Sequence, residues 1–307
     1  MRNPLTDQLV KILKQNPENG FETRRKRQAA LLRACRILFA EFGLQSLRNL
    51  KPKHVKRLLG AWAHLSPGEI ANQMAHLRWL ADKLGKTRLI PESNHELRIG
   101  RRVRYERAGK FVAPDRFEEI LARLGRENDR LQLISGRWFG MRFKEAALFR
   151  PNLDVDGNRL WIKRGTKGGR PRWIWLVWPE QHAHLAELRR AFPERLGCLV
   201  DKGKTYENWR TATYKRFRAA GLSRREGDVF HDLRRTWADK EFARLRAKGH
   251  SIEEAAKIVS KRLGHNRLEV LKWYLPNGGE SGSGVTRQSI EAEPGETVDG
   301  PAWIVGG

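Results

Sequence analysis

Apolar residues recur at helical spacing through the first third of the chain. They fall three or four positions apart, which places them on one face of a helix. The three sets are Leu31, Cys35, Leu38 and Phe42; then Val55, Leu58, Leu59 and Trp62; then Ile70, Met74, Leu77, Leu80 and Leu84. Ser66 and Glu69 form a capping-box pattern with Pro67 at the first helical position, so the third helix is predicted to begin there. No strand pattern interrupts residues 1–97, and we predict a small all-α domain.

The periodicity changes in the second half of the chain. Alternating residues predict two strands, at 159–163 and 171–176, joined by a glycine-rich turn. Trp173, Trp175 and Val177 share one strand face, and we predict that this face lies in the sheet core rather than stacking on nucleic-acid bases. Helices are predicted near 117–124, 129–149, 180–192, 205–220, 231–248 and 252–263. This order predicts an α+β domain that is mainly helical, with a small antiparallel β-hairpin sheet.

Composition divides the chain into four predicted parts. Residues 1–97 form the helical domain, and 98–113 form a basic linker in which cations are interspersed with glycine. Residues 114–276 form the α+β domain. Residues 277–307 combine several glycines with five acidic residues against a single arginine, which predicts a flexible acidic tail. A short docking strand at 301–305 and a disordered end are equally compatible with this composition.

The charge of the chain indicates a polyanionic partner. Its 307 residues carry a formal net charge of +26, which opposes compaction unless an anion balances it. Nucleic acid is the first candidate and an anionic membrane surface the second. The longest apolar run, at 173–178, is too short to span a bilayer, and the first eight residues lack the apolar segment of a signal peptide. With only two cysteines, the composition fits a reducing cytoplasm.

Basic residues are clustered along the chain. A single run of cations is typical of a solvated helix face, but repeated runs with few acids between them favour a surface that meets phosphates. The candidates in the first domain and linker are Arg24, Arg25, Lys26, Arg27, Lys53, Lys56, Arg57, Arg101, Arg102 and Arg104. The candidates on the predicted helix at 205–220 are Arg210, Lys215, Arg216 and Arg218. The sequence does not separate base contacts from phosphate contacts at these positions.

A group of reactive side chains lies near the end of the α+β domain. His231 and Arg234 are three positions apart on one predicted helical face, and His265 and Tyr274 follow. Phosphoryl transfer needs cations on the non-bridging oxygens, a nucleophile, and a proton donor for the leaving oxygen. Arginine suits the first task because its planar guanidinium meets two phosphate oxygens at once. These residues therefore predict phosphoryl-transfer chemistry.

In their order along the chain, these residues resemble the motifs of the tyrosine recombinases, the integrase and Xer class of DNA strand-exchange enzymes. The segment from His231 to Arg234 resembles the H-x-x-R element of that family. His265 follows Leu263-Gly264, and Tyr274 lies nine residues beyond it, as in the family. The resemblance covers about 114–276, and the basic helical domain is similar to the core-binding domain of the family in position and size.

Two further elements upstream carry the same resemblance. Gly140-Met141-Arg142-Phe143-Lys144-Glu145 is similar to the family element GxRxxE, which implies that Arg142 is the first phosphate-binding arginine. Lys167 falls in the predicted turn of the hairpin, where the family has a mobile lysine. Lys163 is a nearby alternative, and Arg172 on the following strand could simply face DNA.

The resemblance implies a role for each residue. Tyr274 would attack the scissile phosphate and form a 3′-phosphotyrosyl intermediate, and Lys167 would protonate the 5′ leaving oxygen as general acid. Arg142 and Arg234 would hold the non-bridging oxygens as negative charge builds in the transition state. His231 would accept the tyrosine proton or bind the phosphate.

The other implications concern support and partners. His265 would donate to a non-bridging oxygen, and Glu145 would support the site. The bond energy is kept in the phosphotyrosine link, so strand joining is expected to need no ATP; no other cofactor and no metal are expected either. The expected partners are double-stranded DNA attachment sites, further copies of the chain in a tetramer on DNA, and accessory DNA-bending or directionality proteins, with no membrane. The expected location is the cytoplasm of a prokaryote, at the nucleoid.

The preferred interpretation is a site-specific DNA recombinase that integrates or excises a mobile element. Two alternatives stay open at this point. A Xer-like resolvase of chromosome or plasmid dimers would use the same residues. A DNA-binding regulator that does not cleave would keep the basic surfaces, but the complete ordered set of motif residues argues against it.

Overall fold

A computed structural model describes residues 3–101 and 111–264 of the chain. The chain divides into two compact units, Met1–Arg107 and Ala108–Gly307. Within the described residues, the first unit is helical and the second is mainly helical with one small antiparallel sheet. The predicted fold class is therefore confirmed.

The first unit is built around one long helix. Its elements are α1 (Pro4–Gln15), α2 (Phe21–Phe42), α3 (Pro52–Ala61) and α4 (Pro67–Lys83), with 3₁₀ turns at Leu47–Asn49 and Thr87–Leu89. α2 contacts each of the other three helices. Its buried face carries Leu31, Cys35 and Leu38, which pack with Leu58 of α3 and Met74 of α4. The apolar spacing had predicted α2, α3 and α4 but not α1.

The ends of these helices follow local capping chemistry. The Ser66 backbone N–H donates to Glu69 Oε2 at 3.0 Å, and the Glu69 N–H donates to Ser66 Oγ at 3.4 Å, so the predicted capping box begins α4. α2 ends at Gly43, whose φ of +56° is the left-handed conformation that favours glycine. Both boundaries are therefore determined by a few residues beside the helix.

The second unit alternates helices with a small sheet. Three helices come first: α5 (Pro114–Ala122), α6 (Glu127–Trp138) and α7 (Phe143–Leu148). The strands are β1 (Val155–Asp156), β2 (Arg159–Ile162) and β3 (Arg172–Trp175), in the order β1-β2-β3 with both pairs antiparallel. Four helices follow: α8 (Pro179–Ala191), α9 (Tyr206–Ala219), α10 (Phe230–Ala247) and α11 (Ile252–Arg262). β1 was not predicted.

The predicted single helix at 129–149 is wrong, because the chain turns between α6 and α7. Gly140 lies in the break with a φ of +58°. A Cβ atom at this position would come within 2.6 Å of the Trp237 indole on α10, so only glycine fits. The turn redirects the chain so that α7 begins immediately after Arg142.

The predicted orientation of the second strand is also wrong. Ile174 and Leu176 lie in the core, whereas Trp175 and Val177 are 42 % and 38 % exposed. Trp173 is half-buried and lies 4.4 Å from Trp161 between ring centroids, on the outer face of the hairpin. Alternation identified two strand faces correctly, but the aromatic face is not the one that meets the helices.

Both described ends of the predicted linker pack on a core. Ile99 packs against the core of the first unit, and Val112 is 1 % exposed within the core of the second. Arg102 and Arg104 lie outside the described residues, so the predicted boundaries at 98–113 stay a prediction. Among the described helices, none is both long enough and apolar enough to cross a membrane.

Candidate active site

Glu145 is the centre of the candidate site. It lies in the first turn of α7, is 1 % exposed, and its Oε2 accepts the Arg142 backbone N–H at 2.7 Å, which caps the helix. The Arg142 side chain reaches back and donates from Nη1 to Glu145 Oε1 at 2.6 Å. The three-residue spacing between Arg142 and Glu145 therefore makes an N-terminal cap that also holds the first motif arginine in place.

Arg234 approaches the same carboxylate from α10. Its Nη1 lies 3.6 Å from Glu145 Oε2 and donates to the Gly140 carbonyl oxygen at 2.6 Å. The residue is fully buried. α10 begins just before it, where Asp232 Oδ2 accepts the Val229 N–H at 2.9 Å as the helix cap. The capping Asp232 therefore sets the position of the H-x-x-R element on the first turn of α10.

The two motif arginines also share a backbone acceptor. Arg142 Nη2 donates to the Leu263 carbonyl oxygen at 3.3 Å, and Arg234 Nη2 donates to the same oxygen. Leu263 is the C-terminal cap of α11, and Gly264 follows with a φ of +66°. The arginines therefore bind the chain segment that leads directly into His265.

The charge balance of this cluster keeps Glu145 ionised. Burial alone would raise the pKa of the Glu145 carboxyl, but hydrogen bonding to Arg172 and the charges of Arg172, Arg234 and Arg142 outweigh it and lower the pKa to about 2. At neutral pH one negative charge is thus surrounded by three positive ones. The net positive charge suits a site for a phosphodiester anion.

His231 lies on the first turn of α10, three residues before Arg234. Its side chain reaches solvent, yet desolvation by the surrounding protein and then the positive charges of Arg234, Arg235 and Arg142 lower its pKa. The imidazole is therefore neutral at neutral pH, and a neutral imidazole has a ring nitrogen that can accept a proton.

The hairpin places Lys167 at an exposed tip. The turn contains a 3₁₀ segment at Lys167–Gly169, and Lys167 makes no hydrogen bond or ion pair with any other described residue. Lys163 is different, because its Nζ lies 3.6 Å from the buried Asp154, which Arg164 also binds. Of the two candidate lysines, Lys167 is the one without an internal carboxylate partner in the described chain.

The base of the same hairpin rests on the start of α7. A Cβ atom at Gly165, whose φ is +71°, would come within 2.7 Å of the Lys144 carbonyl oxygen. The loop that carries Lys167 therefore passes directly beside the helix that carries Glu145. His265 and Tyr274 lie outside the described residues, so their predicted places in the site are untested.

One residue of the cluster had been given no role there. Arg172, on β3, is 5 % exposed, and its Nη1 and Nη2 donate to the two Glu145 oxygens at 2.8 and 2.6 Å. A signal was present in the sequence, because Arg172 alternates with Ile174 and Leu176 and so shares their strand face. This alternation was not used, because the opposite face carries tryptophans and was therefore predicted to be the buried one.

The predicted DNA-facing residues of the first unit fall into two groups. Those with exposed side chains are Arg24, Arg25, Lys26, Lys53, Lys56, Arg57 and Arg101. Among them, Arg57 Nη2 donates to Glu41 at 2.7 Å, and Arg25 Nη2 lies 3.3 Å from Glu22. Arg27 differs, because it is 6 % exposed and its guanidinium carbon lies 4.0 Å from the Trp79 ring centroid. Packing against Trp79 accounts for Arg27 without a phosphate contact.

The predicted DNA-facing helix, α9, shows the same division. Arg216 donates to the buried Asp129, with Nη2 at 2.9 Å from Oδ1, and Arg210 is paired with Glu207 at 2.8 Å. Lys215 and Arg218 are exposed. Together with the exposed Asn208 and Thr211, they form one exposed face of α9 at positions 208, 211, 215 and 218. Asn208 and Thr211 were not among the predicted DNA-facing residues, because neither is charged.

Two family models match the chain. The model described as "Phage integrase, N-terminal" matches residues 2–90, and the model described as "Integrase" matches residues 103–240. The second match includes Arg142, Lys167, His231 and Arg234. A search of curated protein sequences gives no significant match.

The fold is similar to those of solved recombinase structures. A lambda integrase dimer bound to a COC′ core site aligns with a TM-score of 0.59 and 18 % identity, over 92 % of this chain and 79 % of that one. The XerH site-specific recombinase in a post-cleavage complex with palindromic difH aligns with a TM-score of 0.57 and 19 % identity, over 88 % and 80 %. The Tn1549 transposon integrase with transposon right end DNA aligns with a TM-score of 0.57 and 14 % identity, over 88 % and 94 %.

The two sequence matches, together with the ordered motifs and this fold, define the class of protein. The chain belongs to the integrase family of tyrosine recombinases, enzymes that break and rejoin DNA strands.

Proposed function

We propose that this protein is a site-specific recombinase that integrates or excises a mobile element through a covalent link between Tyr274 and DNA. The observation that carries the proposal is the convergence of Arg142 and Arg234 on Glu145 and on the Leu263 carbonyl oxygen. Two cations are held side by side at the start of the segment that continues to His265 and Tyr274. Such a pair suits the two non-bridging oxygens of one phosphodiester.

The proposed cleavage step conserves the phosphodiester bond energy. The Tyr274 phenolic oxygen attacks phosphorus, a phosphorus–tyrosine oxygen bond forms, and the bond from phosphorus to the 5′ oxygen breaks. The phenolic proton passes to His231, whose neutral imidazole can accept it. Lys167 gives a proton to the departing 5′ oxygen, which leaves as a hydroxyl. Rejoining is the reverse reaction, with a 5′-hydroxyl from the partner strand as nucleophile.

The arginines contribute chiefly in the transition state. Negative charge builds on the non-bridging oxygens as the tyrosine attacks, and cations fixed in advance stabilise it without reorganisation. Arg234 is fully buried, and its hydrogen bonds to two backbone carbonyl oxygens fix the plane of its guanidinium group. Loss of one such donor typically lowers a rate by about 10²–10³-fold.

Double-stranded DNA is the proposed partner. The exposed cations on α2 and α3 supply phosphate contacts, and the exposed face of α9 supplies base contacts through Asn208, Thr211, Lys215 and Arg218. Solved relatives of similar fold are bound to DNA, and one is a lambda integrase tetramer on a Holliday junction. We extend the same arrangement, four copies on two DNA sites, to this chain. Accessory DNA-bending proteins and a prokaryotic nucleoid location belong to the same proposal.

A covalent trapping experiment tests this function. The substrate is a pool of 5′-labelled duplexes that tiles the DNA on both sides of the gene, with nicks at successive positions. When cleavage occurs next to a nick, the short 5′-hydroxyl fragment diffuses away, and the protein remains attached to the labelled strand. We expect wild type to give a protein–DNA adduct on a denaturing gel, and peptide mapping to identify Tyr274 as the attachment point.

The matched control separates the nucleophile from other tyrosines. Tyr274→Phe should form no adduct, whereas Tyr214→Phe should form it normally, because Tyr214 stacks on Phe143 through a ring that phenylalanine retains. An adduct from Tyr274→Phe would refute the nucleophile assignment. Sequence-specific DNA binding by wild type with no adduct at any nick would favour the non-cleaving regulator, and trapping only at a dimer-resolution site would favour the Xer-like resolvase.

A further inference from the structure

Arg172 is a buried arginine that has no part in the recombinase motifs or in the proposed chemistry. It lies on the inner face of β3, beside Ile174 and Leu176, and is 5 % exposed. Its two terminal nitrogens donate to the two Glu145 oxygens at 2.8 and 2.6 Å, which is the bidentate geometry of a strong arginine–carboxylate pair. Both terminal nitrogens of Arg172 are therefore engaged by one internal carboxylate.

The carboxylate that Arg172 binds is the one that holds Arg142. Glu145 Oε1 accepts from Arg172 at 2.8 Å and from Arg142 Nη1 at 2.6 Å. Glu145 Oε2 accepts from Arg172 at 2.6 Å and from the Arg142 backbone N–H at 2.7 Å. Each oxygen is thus shared between β3 and the start of α7, so the direction of the carboxylate depends on both elements.

The aliphatic part of Arg172 makes a second contact. A Cβ atom at Gly264 would lie 3.2 Å from Arg172 Cδ, and Gly264 has a φ of +66°. Residues of strand β3 and of helix α11 are also in contact. Gly264 directly precedes His265, so Arg172 bridges the two segments that bracket the site, the helix start at Arg142 and the chain leading to His265.

The same strand carries the loop of the proposed general acid. β3 begins at Arg172, five residues after Lys167 at the tip of the hairpin. The tip is exposed, whereas the strand base is held to Glu145. The Arg172–Glu145 pair is therefore a direct polar connection between the hairpin and the arginine cluster.

We infer that Arg172 is a positioning residue for recombination, which anchors the Lys167 hairpin to the carboxylate that orients Arg142 and so sets the distance between general acid and phosphate. The inference rests on the proposed function. Arg172 touches neither DNA nor the reacting atoms, and its contribution passes through Glu145 and Gly264. A lysine cannot replace it fully, because an ammonium group lacks the planar fork that meets both carboxylate oxygens.

The test is the single-turnover rate of adduct formation on the nicked substrate, at saturating DNA, for wild type and Arg172→Met. A misplaced reacting group typically costs about 10²-fold in rate, so we expect a loss of about that size. DNA affinity should change by less than about twofold, because a buried residue releases no counterions from DNA. Arg172→Lys should recover part of the rate, which also guards against a variant that fails to fold.

The pH profile gives a readout that a structural role would not move. The groups that face Glu145 are Arg142 at the start of α7, Arg172 on β3, and Arg234 and His231 on α10. Removal of Arg172 raises the pKa of the Glu145 carboxyl toward its ordinary value. The rate deficit of Arg172→Met should therefore grow as pH falls, whereas a variant that only loses folded protein has the same deficit at every pH at which it is folded.

Two further comparisons decide the inference. Arg159→Met is the matched control, since Arg159 lies on the same hairpin and pairs with the exposed Asp156 at 2.7 Å, and it should react at the wild-type rate. In a Glu145→Gln background, Arg172→Met should slow the reaction by much less than in wild type, because the partner charge is already gone. A folded Arg172→Met with an unchanged rate, or fully multiplicative losses in the double variant, would overturn the inference. Failure of wild type to form an adduct would instead refute the proposed function.

Discussion

The two compact units use their cations in physically different ways. On α2 and α3 of the first unit, Lys26, Lys53 and Lys56 are exposed to water. In the second unit, Arg172 and Arg234 are buried around a single carboxylate. Exposed cations act through long-range, salt-dependent attraction, whereas buried cations act through fixed geometry in a low dielectric.

This difference shows that net charge alone does not measure a DNA-binding surface. The chain carries +26, yet Arg27 packs on Trp79, and Arg216 binds the buried Asp129. Their positive charge still contributes to the field around the protein, but their side chains are committed to internal contacts. Burial and the presence of a carboxylate partner separate the two uses.

The largest expected effect comes from removing the buried carboxylate. Glu145→Ala leaves three guanidinium groups without their shared anion, and breaking one partner of a buried ion pair costs about 3–5 kcal/mol. Hydrogen exchange followed by mass spectrometry should show that loss in peptides from α7 and α10. Peptides from α2 and α4 should be unchanged.

The matched variant is Glu41→Ala in the first unit. Glu41 also binds an arginine, Arg57, but both side chains are partly exposed. An exposed pair contributes less than about 1 kcal/mol, so this variant should barely change the exchange of α2 and α3. Equal losses of stability for the two variants would contradict the expectation that the buried ion pairs contribute more than the exposed one.

Acid should act on the second unit through the same carboxylate. The pKa of Glu145 is lowered from 4.5 to about 2 in the folded chain, so its contribution is fully present above pH 4.5 and is lost as pH falls toward 2. A shift of this size corresponds to about 3 kcal/mol. Urea unfolding monitored at several pH values should show a steeper acid dependence for wild type than for Glu145→Gln. An identical pH dependence of stability for the two proteins would mean that Glu145 has the same pKa in the folded and the unfolded chain.

Gly140→Ala tests whether the turn before Arg142 is required. The substitution combines a left-handed backbone with a clash against Trp237, so we expect a loss of about 2–4 kcal/mol in the free energy of unfolding. Gly168→Ala is the control, because Gly168 has a φ of +73° but a Cβ atom there would meet nothing within 4 Å. That variant should lose only about 1–2 kcal/mol. Chemical denaturation of both variants measures the difference.

The smallest expected effect lies on the exposed surface. Lys53→Gln with Lys56→Gln should leave stability unchanged and weaken DNA binding several-fold. The slope of log affinity against log salt should fall by about 1.8, since each phosphate contact contributes about 0.9. Arg27→Met should show the opposite pattern, with a stability loss and an unchanged slope. A reduced slope for Arg27→Met would indicate instead that Arg27 contacts a DNA phosphate.

The fold class followed from local patterns. Apolar spacing predicted α2, α3 and α4, and the capping box at Ser66 predicted the start of α4. These features succeed because capping and amphipathic spacing act within a few residues. The break at Gly140 was missed, because the reason for a glycine there is the indole of Trp237, which lies almost a hundred residues away.

The candidate site was predictable as a set of motif residues but not as an arrangement. The order of Arg142, Lys167, His231 and Arg234 is readable along the chain, and it leads to the family. The shared dependence of the two arginines on Glu145 and on the Leu263 carbonyl oxygen is not readable, since hydrogen bonds between distant segments leave no local pattern. The places of His265 and Tyr274 in the site stay predictions.

Most helices, the two strand segments, the recombinase motifs and the excess of positive charge were predictable from residue type and short spacing, whereas α1 and the break at Gly140 were not. Which strand face is buried, and which arginines are buried, depends on contacts between distant segments. Ile174 and Leu176, rather than the tryptophans, face the apolar core of the second unit. Arg172 is buried on the same strand face because its guanidinium group pairs there with the buried Glu145. A buried charge is stable only beside its partner, and that partner is brought there by the fold.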